Sequence, residues 1–234
     1  MKNIITQQAR SGCIDIWNAF MVKDAIMTPN DIPVCPTTAM RLPTELITYD
    51  VARSLVKKEI QSGNTDFKSS SFVCCYIDDY KFDNSEGIWQ KPYKAVEILK
   101  HFAGIITPDW STYADFPYPL KLFNVYRMRA FGYWYGTHLG YEVINNVRWG
   151  TSETYSYCFD GIPPKSPVAI GTIASDLKNP YNLQMFMDGL DELLARINPP
   201  AIIIYGSLPA KIKEYLEANN VNIIVIPSAH SYGR

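Results

Sequence analysis

YEVINNVRWG (141–150), TSETYSYCFDGIPPKS (151–166) and PVAIGTIAS (167–175) decide how the whole chain reads. Two apolar runs of strand length, VINNVRW and VAIGTI, flank a polar, aromatic insert in which Arg148, Trp149, Glu153 and Asp160 crowd together. Short apolar runs bounded by turn residues read as strands buried on both faces. The insert is too rich for a plain connection and is expected to form the floor and rim of a site.

The same alternation extends in both directions. Upstream lie LITYD (46–50), FVCCYID (72–78) and GIITPD (104–109); downstream lie AIIIYGS (201–207) and NIIVIPS (222–228). Helical patterns separate them: VARSLVKKEIQSG with Gly63 as its stop, KPYKAVEILKHFAG with Pro92 in its first turn and Gly104 past its end, a long aromatic helix PYPLKLFNVYRMRAFGYWYGTHLG, NLQMFMDGLDELLARI, and PAKIKEYLEANN. Apolar strands alternating with helices predict an α/β fold with one parallel sheet. Right-handed crossovers repeated without a reversal of strand order roll a sheet up, so the expected form is a TIM-barrel-like barrel of seven or eight strands. An open doubly wound sheet is the alternative, although no G-x-G-x-x-G or P-loop follows any strand. Residues 1–43 read as a lead-in, a helix within IDIWNAFMVKDAI (14–26) and a Pro-punctuated connector, packed on a single domain at 44–234.

Composition narrows the function classes. Apolar residues make up 47%, charged residues 19%, and the formal net charge is -1, a globular balance without the basic surface of a general nucleic-acid binder. No apolar run reaches the roughly 18–20 residues of a membrane span, and the first residues lack a signal-peptide core, so a cytoplasmic protein is expected. Cys13, Cys35, Cys74, Cys75 and Cys158 show no C-x-x-C spacing and read as free thiols, with Cys74 and Cys75 inside a strand. The three His residues are not spaced as metal ligands.

Polar residues gather at the carboxyl ends of the strands: Asp50, Asp78, Asp79, Asp109, Arg148, Thr172, Ser207 and Ser228. Sites in parallel α/β folds are built on that edge, although Asp, Ser and Thr there also cap helices. Alternation puts Ile144, Asn146 and Arg148 on one face of their strand and points Thr107 and Asp109 together. A guanidinium at such a mouth needs a carboxylate, which makes Asp79, Asp109 and Arg148 the candidate catalytic group, either as a structural ion pair or as an anion clamp. A carboxylate-only Mg²⁺ site from Asp78, Asp79 and Asp109 is left open. Asn124 and Arg127 on the aromatic helix, Trp149 and Asp160 in the insert, and Tyr205 and Ser207 after the sixth strand are candidate ligand contacts.

LITYDVAR, FVCCYIDDYKFD, GIITPDWSTYADFPYPLKLFNVYRMRAFGYW, VINNVRWG, YCFDGIPPKSPVAIGT and IIIYGSLP together resemble an uncharacterised family, the domain of unknown function numbered four-four-one-seven, whose members occur in phages, other mobile elements and bacteria. The resemblance runs from about residue 42 to 227 and leaves the N-terminal 40 residues outside. Asp79 and Tyr80, Pro108 and Asp109, Asn124, Arg127, Arg129, 148–150, 159–163 and 205–207 fall on its motifs. Asn145 and Asn146 stand where a proline is expected, and Thr151 where an acidic residue is usual. The resemblance implies no activity, cofactor or substrate. Two functions follow as expectations: a metal-assisted enzyme acting on a phosphate-containing substrate, or a non-catalytic module binding a small ligand or a host protein in the host cytoplasm.

Overall fold

A computed structural model describes residues 11–228. Seven strands, β1 (Leu46–Thr48), β2 (Ser69–Cys74), β3 (Phe102–Ile106), β4 (Glu142–Asn146), β5 (Val168–Gly171), β6 (Ala201–Tyr205) and β7 (Asn222–Ile226), form one sheet in sequence order. Every neighbouring pair is parallel. Five helices, α1 (Tyr49–Gln61), α2 (Pro92–Leu99), α3 (Tyr118–Tyr133), α4 (Pro180–Arg196) and α5 (Ala210–Ala218), lie between them. The β4–β5 crossover alone lacks an α-helix, having only a 3-10 turn at Ser152–Ser156.

Two apolar layers show how this sheet is dressed. One joins the helices to outward strand residues such as Val143, Ile202 and Ile204. The other holds Leu46, Phe72, Cys74, Tyr76, Ile106, Ile144, Ala169, Ile203, Tyr205 and Ile226, and no residue from α1 to α5. All helices therefore sit on one face, and the strand order never reverses, which sets aside the doubly wound alternative. The inner layer also measures the curl. Tyr76, just past β2, stacks on Tyr205 of β6 with ring centroids 5.5 Å apart. In a flat sheet four strand spacings would separate them by about 19 Å. The sheet is a curled half-barrel; among the described residues β7 does not pair with β1, so the expected full closure gives way to two edges. Cys74 and Cys75 are buried as expected, and burial pushes the Cys74 thiol up to about 12.

Several local expectations are corrected. Residues 14–26 do not form a helix: they contain only a 3-10 turn, Ala19–Val22, framed by Asn18 at φ 53° and Asp24 at φ 61°. Both break helical geometry, and Ile16 is 68% exposed rather than core-facing. The segment is tied instead by distant partners, the Trp89 indole donating to the Ile16 carbonyl and the Tyr126 hydroxyl to that of Trp17. Asp50 belongs to the first turn of α1 and accepts from Thr48 Oγ1 at 2.6 Å. β3 begins at Phe102, before the GIITPD run; Gly104 lies within it as expected, and the Phe72 ring occupies the space a side chain would need there.

Candidate functional site

β3 ends at Ile106, and the Thr107 N–H still donates to the Ile144 carbonyl of β4 at 2.9 Å. Thr107 packs towards Gly132 of α3, while Asp109 points the other way, to β4, so the two do not share a face as alternation suggests. Alternation does hold on β4, where Asn146 and Arg148 continue the inner face begun by Ile144. Arg148 Nε and Nη2 donate to the two oxygens of Asp109 at 2.9 and 2.7 Å. Asn146 Nδ2 donates to the same carboxylate at 2.8 Å and its Oδ1 accepts from the Tyr76 hydroxyl at 3.0 Å. This network floors the mouth of the half-barrel. Asp109 is buried, whereas the Arg148 side chain keeps 27% of its surface exposed. Asp109 raises the pKa of the Arg148 guanidinium further, so it is a permanent cation.

Asp79 follows β2 and is half-buried. It accepts from the Ser111 backbone N–H at 3.1 Å and the Ser111 hydroxyl at 2.9 Å. Burial raises its pKa above the usual carboxylate range; Asp109 and Asp83 add to the rise, and the Ser111 hydrogen bonds oppose it. Asp79, Asp109 and Arg148 line one cleft of about 160 Å³, together with Tyr76, Lys81, Ser111 and Tyr113. The three candidate catalytic residues are thus brought together at the strand carboxyl ends.

A raised folded-state pKa means that the stability Asp79 contributes is fully present below the ordinary carboxylate value, about 4, and is lost as pH rises through the raised value. Asp79→Asn keeps an acceptor for Ser111 and removes the ionisation. The variant should gain stability relative to the wild type as pH is raised from about 4 towards 7, measured by urea unfolding at each pH. A difference that does not change with pH would contradict this.

The other candidates divide. Trp149 borders a neighbouring cavity. Asn124 and Arg127 stand behind the cleft: Asn124 Nδ2 donates to the Ser111 carbonyl, and Arg127 donates to Asn124 Oδ1 at 2.6 Å and to Asp83 at 2.7 Å. The Arg127 guanidinium also lies 4.5 Å from the Trp110 ring centroid, a buried cation boxed by aromatic rings. Asp160 is turned to the lead-in, accepting from Asn30 Nδ2 at 2.9 Å. The turn at 159–163 goes with it, Gly161 accepting from the Cys35 N–H, and does not fold over the cleft. Tyr205 is consumed in the stack with Tyr76, while the carbonyl of exposed Ser207 accepts from Thr172 Oγ1 and α5 begins after Pro209. Glu153 reaches Lys121 at 3.0 Å.

Among the described residues no three His, Cys, Asp or Glu side chains are grouped to hold a metal ion. Asp78 turns towards Lys81 (3.7 Å), Asp79 to Ser111 and Asp109 to Arg148, so the carboxylate set envisaged for Mg²⁺ does not converge. Sequence reasoning missed Tyr76, Lys81, Ser111, Tyr113 and Asn146 as site residues. Tyr76 carried a signal, since it continues the inward alternation of Phe72 and Cys74. No helix among the described residues is long and apolar enough to cross a membrane.

A model of the family described as "Domain of unknown function (DUF4417)" matches residues 25–225. Its start lies upstream of residue 42, so part of the Pro-rich lead-in belongs to the matched region. The Gene 1 protein of Mycobacterium phage L5 is 36% identical over 142 residues, 60% of this chain and 59% of that protein. The Gene 1 protein of Mycobacterium phage D29 is 29% identical over 204 residues, 87% of this chain and 68% of that protein. The chain therefore spans less than two thirds of the L5 protein. No solved structure matches it. With its matched region reaching from the lead-in into β7, this chain belongs to the DUF4417 family.

Proposed function

We propose that this protein binds a small ligand carrying an oxyanion, in the first instance a phosphate ester, in the cleft at the carboxyl ends of β2 to β5. The supporting observation is the state of Arg148. Two of its five N–H donors are engaged by Asp109, which fixes the guanidinium plane. Arg148 borders the cleft and two adjoining cavities, leaving three N–H donors that Asp109 does not engage. A guanidinium held in plane and partly withdrawn from water suits planar, bidentate recognition of phosphate or carboxylate. Lys81 lines the same cleft and supplies a second cation, only loosely paired at 3.7 and 3.9 Å with Asp78 and Asp50.

Asp79 gives the reading a catalytic extension. A carboxyl group with a raised pKa beside a bound ester can exchange a proton with it, and this step uses no metal. The phage origin of the relatives is the ground for placing its action in the cytoplasm of an infected cell, and the formal net charge of -1 is the ground for a small molecule rather than nucleic acid as the partner.

Titration calorimetry with inorganic phosphate tests the reading. The wild type should bind, and Arg148→Gln should weaken binding at least about tenfold, the loss of one charge-assisted contact of roughly 1.5–3 kcal/mol. Absence of phosphate binding by the folded wild-type protein would sink it.

A further inference from the structure

We infer that the cleft continues past Arg148 into a second compartment and that the ligand is a mononucleotide, its phosphate on Arg148 and its base in that compartment. This rests on the oxyanion reading above and extends it. A second cavity, of about 200 Å³, shares Tyr113, Arg148 and Ala174 with the polar cleft of about 160 Å³. Taken together the two reach the lower end of the range for small-molecule sites, about 300–1,000 Å³. Neither alone does.

The walls of the two compartments differ in chemistry. The polar cleft presents Asp79, Ser111, Lys81 and Asp109. The second presents Trp149, Phe186 and Met185 alongside Asn182, Thr151 and Ser175. The Trp149 indole is seated on α4 at Gly189, where a Cβ would come within 2.1 Å of its Cδ1 and Nε1. Phe186 lies 5.0 Å from it by ring centroid and Phe159 6.1 Å. These contacts hold the indole in place, and the half-buried side chain borders the cavity. An indole fixed in this way is a stacking surface for a flat ring. The amide of Asn182 and the hydroxyls of Thr151 and Ser175 favour a ring with hydrogen-bonding edges, because a plain aryl group would desolvate them without replacing their water. A flat ring with polar edges joined to a phosphate describes a nucleoside monophosphate.

The experiment is calorimetry of the full chain with inorganic phosphate, the four ribonucleosides and their 5′-monophosphates. At least one monophosphate should bind about tenfold or more tightly than either phosphate or its own nucleoside. Trp149→Leu should lower that affinity about ten- to hundredfold, the scale of base–aromatic stacking, and leave phosphate binding unchanged. Should Trp149→Leu fail to fold, Asn182→Ala reads the same compartment from the first turn of α4 without touching the indole's packing. It should change the ranking of the four monophosphates, and an unchanged ranking with unchanged affinities overturns the placement of the base. Phosphate binding that no monophosphate exceeds overturns the mononucleotide while the oxyanion reading stands. Binding of neither phosphate nor any monophosphate overturns both.

Discussion

Replacing Arg129 with methionine is expected to destabilise the protein by about 3–5 kcal/mol, the range found when one member of a buried charged network is removed. Arg129 is 0% exposed. Its Nε donates to the Asp160 carbonyl at 3.0 Å, Nη1 to that of Asn146 at 2.9 Å and Nη2 to that of Cys158 at 3.3 Å. Burial lowers its pKa to about 10, and the group still carries its charge at neutral pH. Methionine fills much of the volume but donates nothing, so three interior carbonyls lose their partner, each at a cost of about 1–3 kcal/mol before relaxation. Those carbonyls belong to the end of β4 and to the helixless β4–β5 crossover, which makes the guanidinium the tie between the strand carrying Arg148 and the insert carrying Phe159. Urea unfolding should show a lower midpoint with an unchanged slope. The control is Lys213→Met, which removes an exposed helical pair 3.8 Å long and should cost no more than about 0.5 kcal/mol. A similar small loss for Arg129→Met would refute the role assigned to it.

Arg129 also illustrates what the sequence discloses and what it withholds. The strands were legible because a parallel strand covered on both faces writes an unbroken apolar run, as in Ala201–Tyr205, all five residues of which are buried. The pairing of Asp109 with Arg148 was legible for a related reason: consecutive parallel strands are neighbours, and both residues stand just beyond their strand ends. Curvature is another matter. The contact of Tyr76 with Tyr205 joins strands four places apart, and no local period encodes it. The aromatic helix misled because α3 is buried nearly all round, from Asn124 to Tyr133. Periodicity on such a helix does not say which cation meets the cleft, and the partners of Arg127 are Asp83, Asn124 and Trp110. Asp160 and the turn around it were misplaced because their partners lie in the lead-in, more than a hundred residues away, where Asn30 and Cys35 receive them. The lead-in itself was read as a helix because its apolar spacing mimics one. Left-handed conformations at Asn18 and Asp24 are set by the packing around them and not by that spacing.

Breaking the Arg148–Asp109 pair should have unequal effects from its two sides. Arg148→Met strands a carboxylate that is only 4% exposed in its side chain, with Asn146 as its remaining hydrogen-bond donor. A loss of about 3–5 kcal/mol is expected at neutral pH. Asp109→Leu strands the guanidinium instead, and that side chain, 27% exposed, can turn to water in the cleft; the expected loss is about 1–3 kcal/mol. In the double variant neither charge is left alone. Its loss should fall short of the sum of the single losses by about 2–3 kcal/mol, as for directly coupled neighbours, with a remainder attributable to Asn146, whose amide then keeps only the Met128 sulfur as acceptor while its carbonyl oxygen keeps Tyr76. Phosphate binding should be absent from Arg148→Met and from the double variant, and weakened in Asp109→Leu, where the cation persists but its plane is no longer fixed. Unfolding free energies for the four proteins at pH 7 complete the cycle. Single losses below about 1 kcal/mol that add would mark an ordinary surface pair, and the fixed guanidinium on which the oxyanion site depends would go with it.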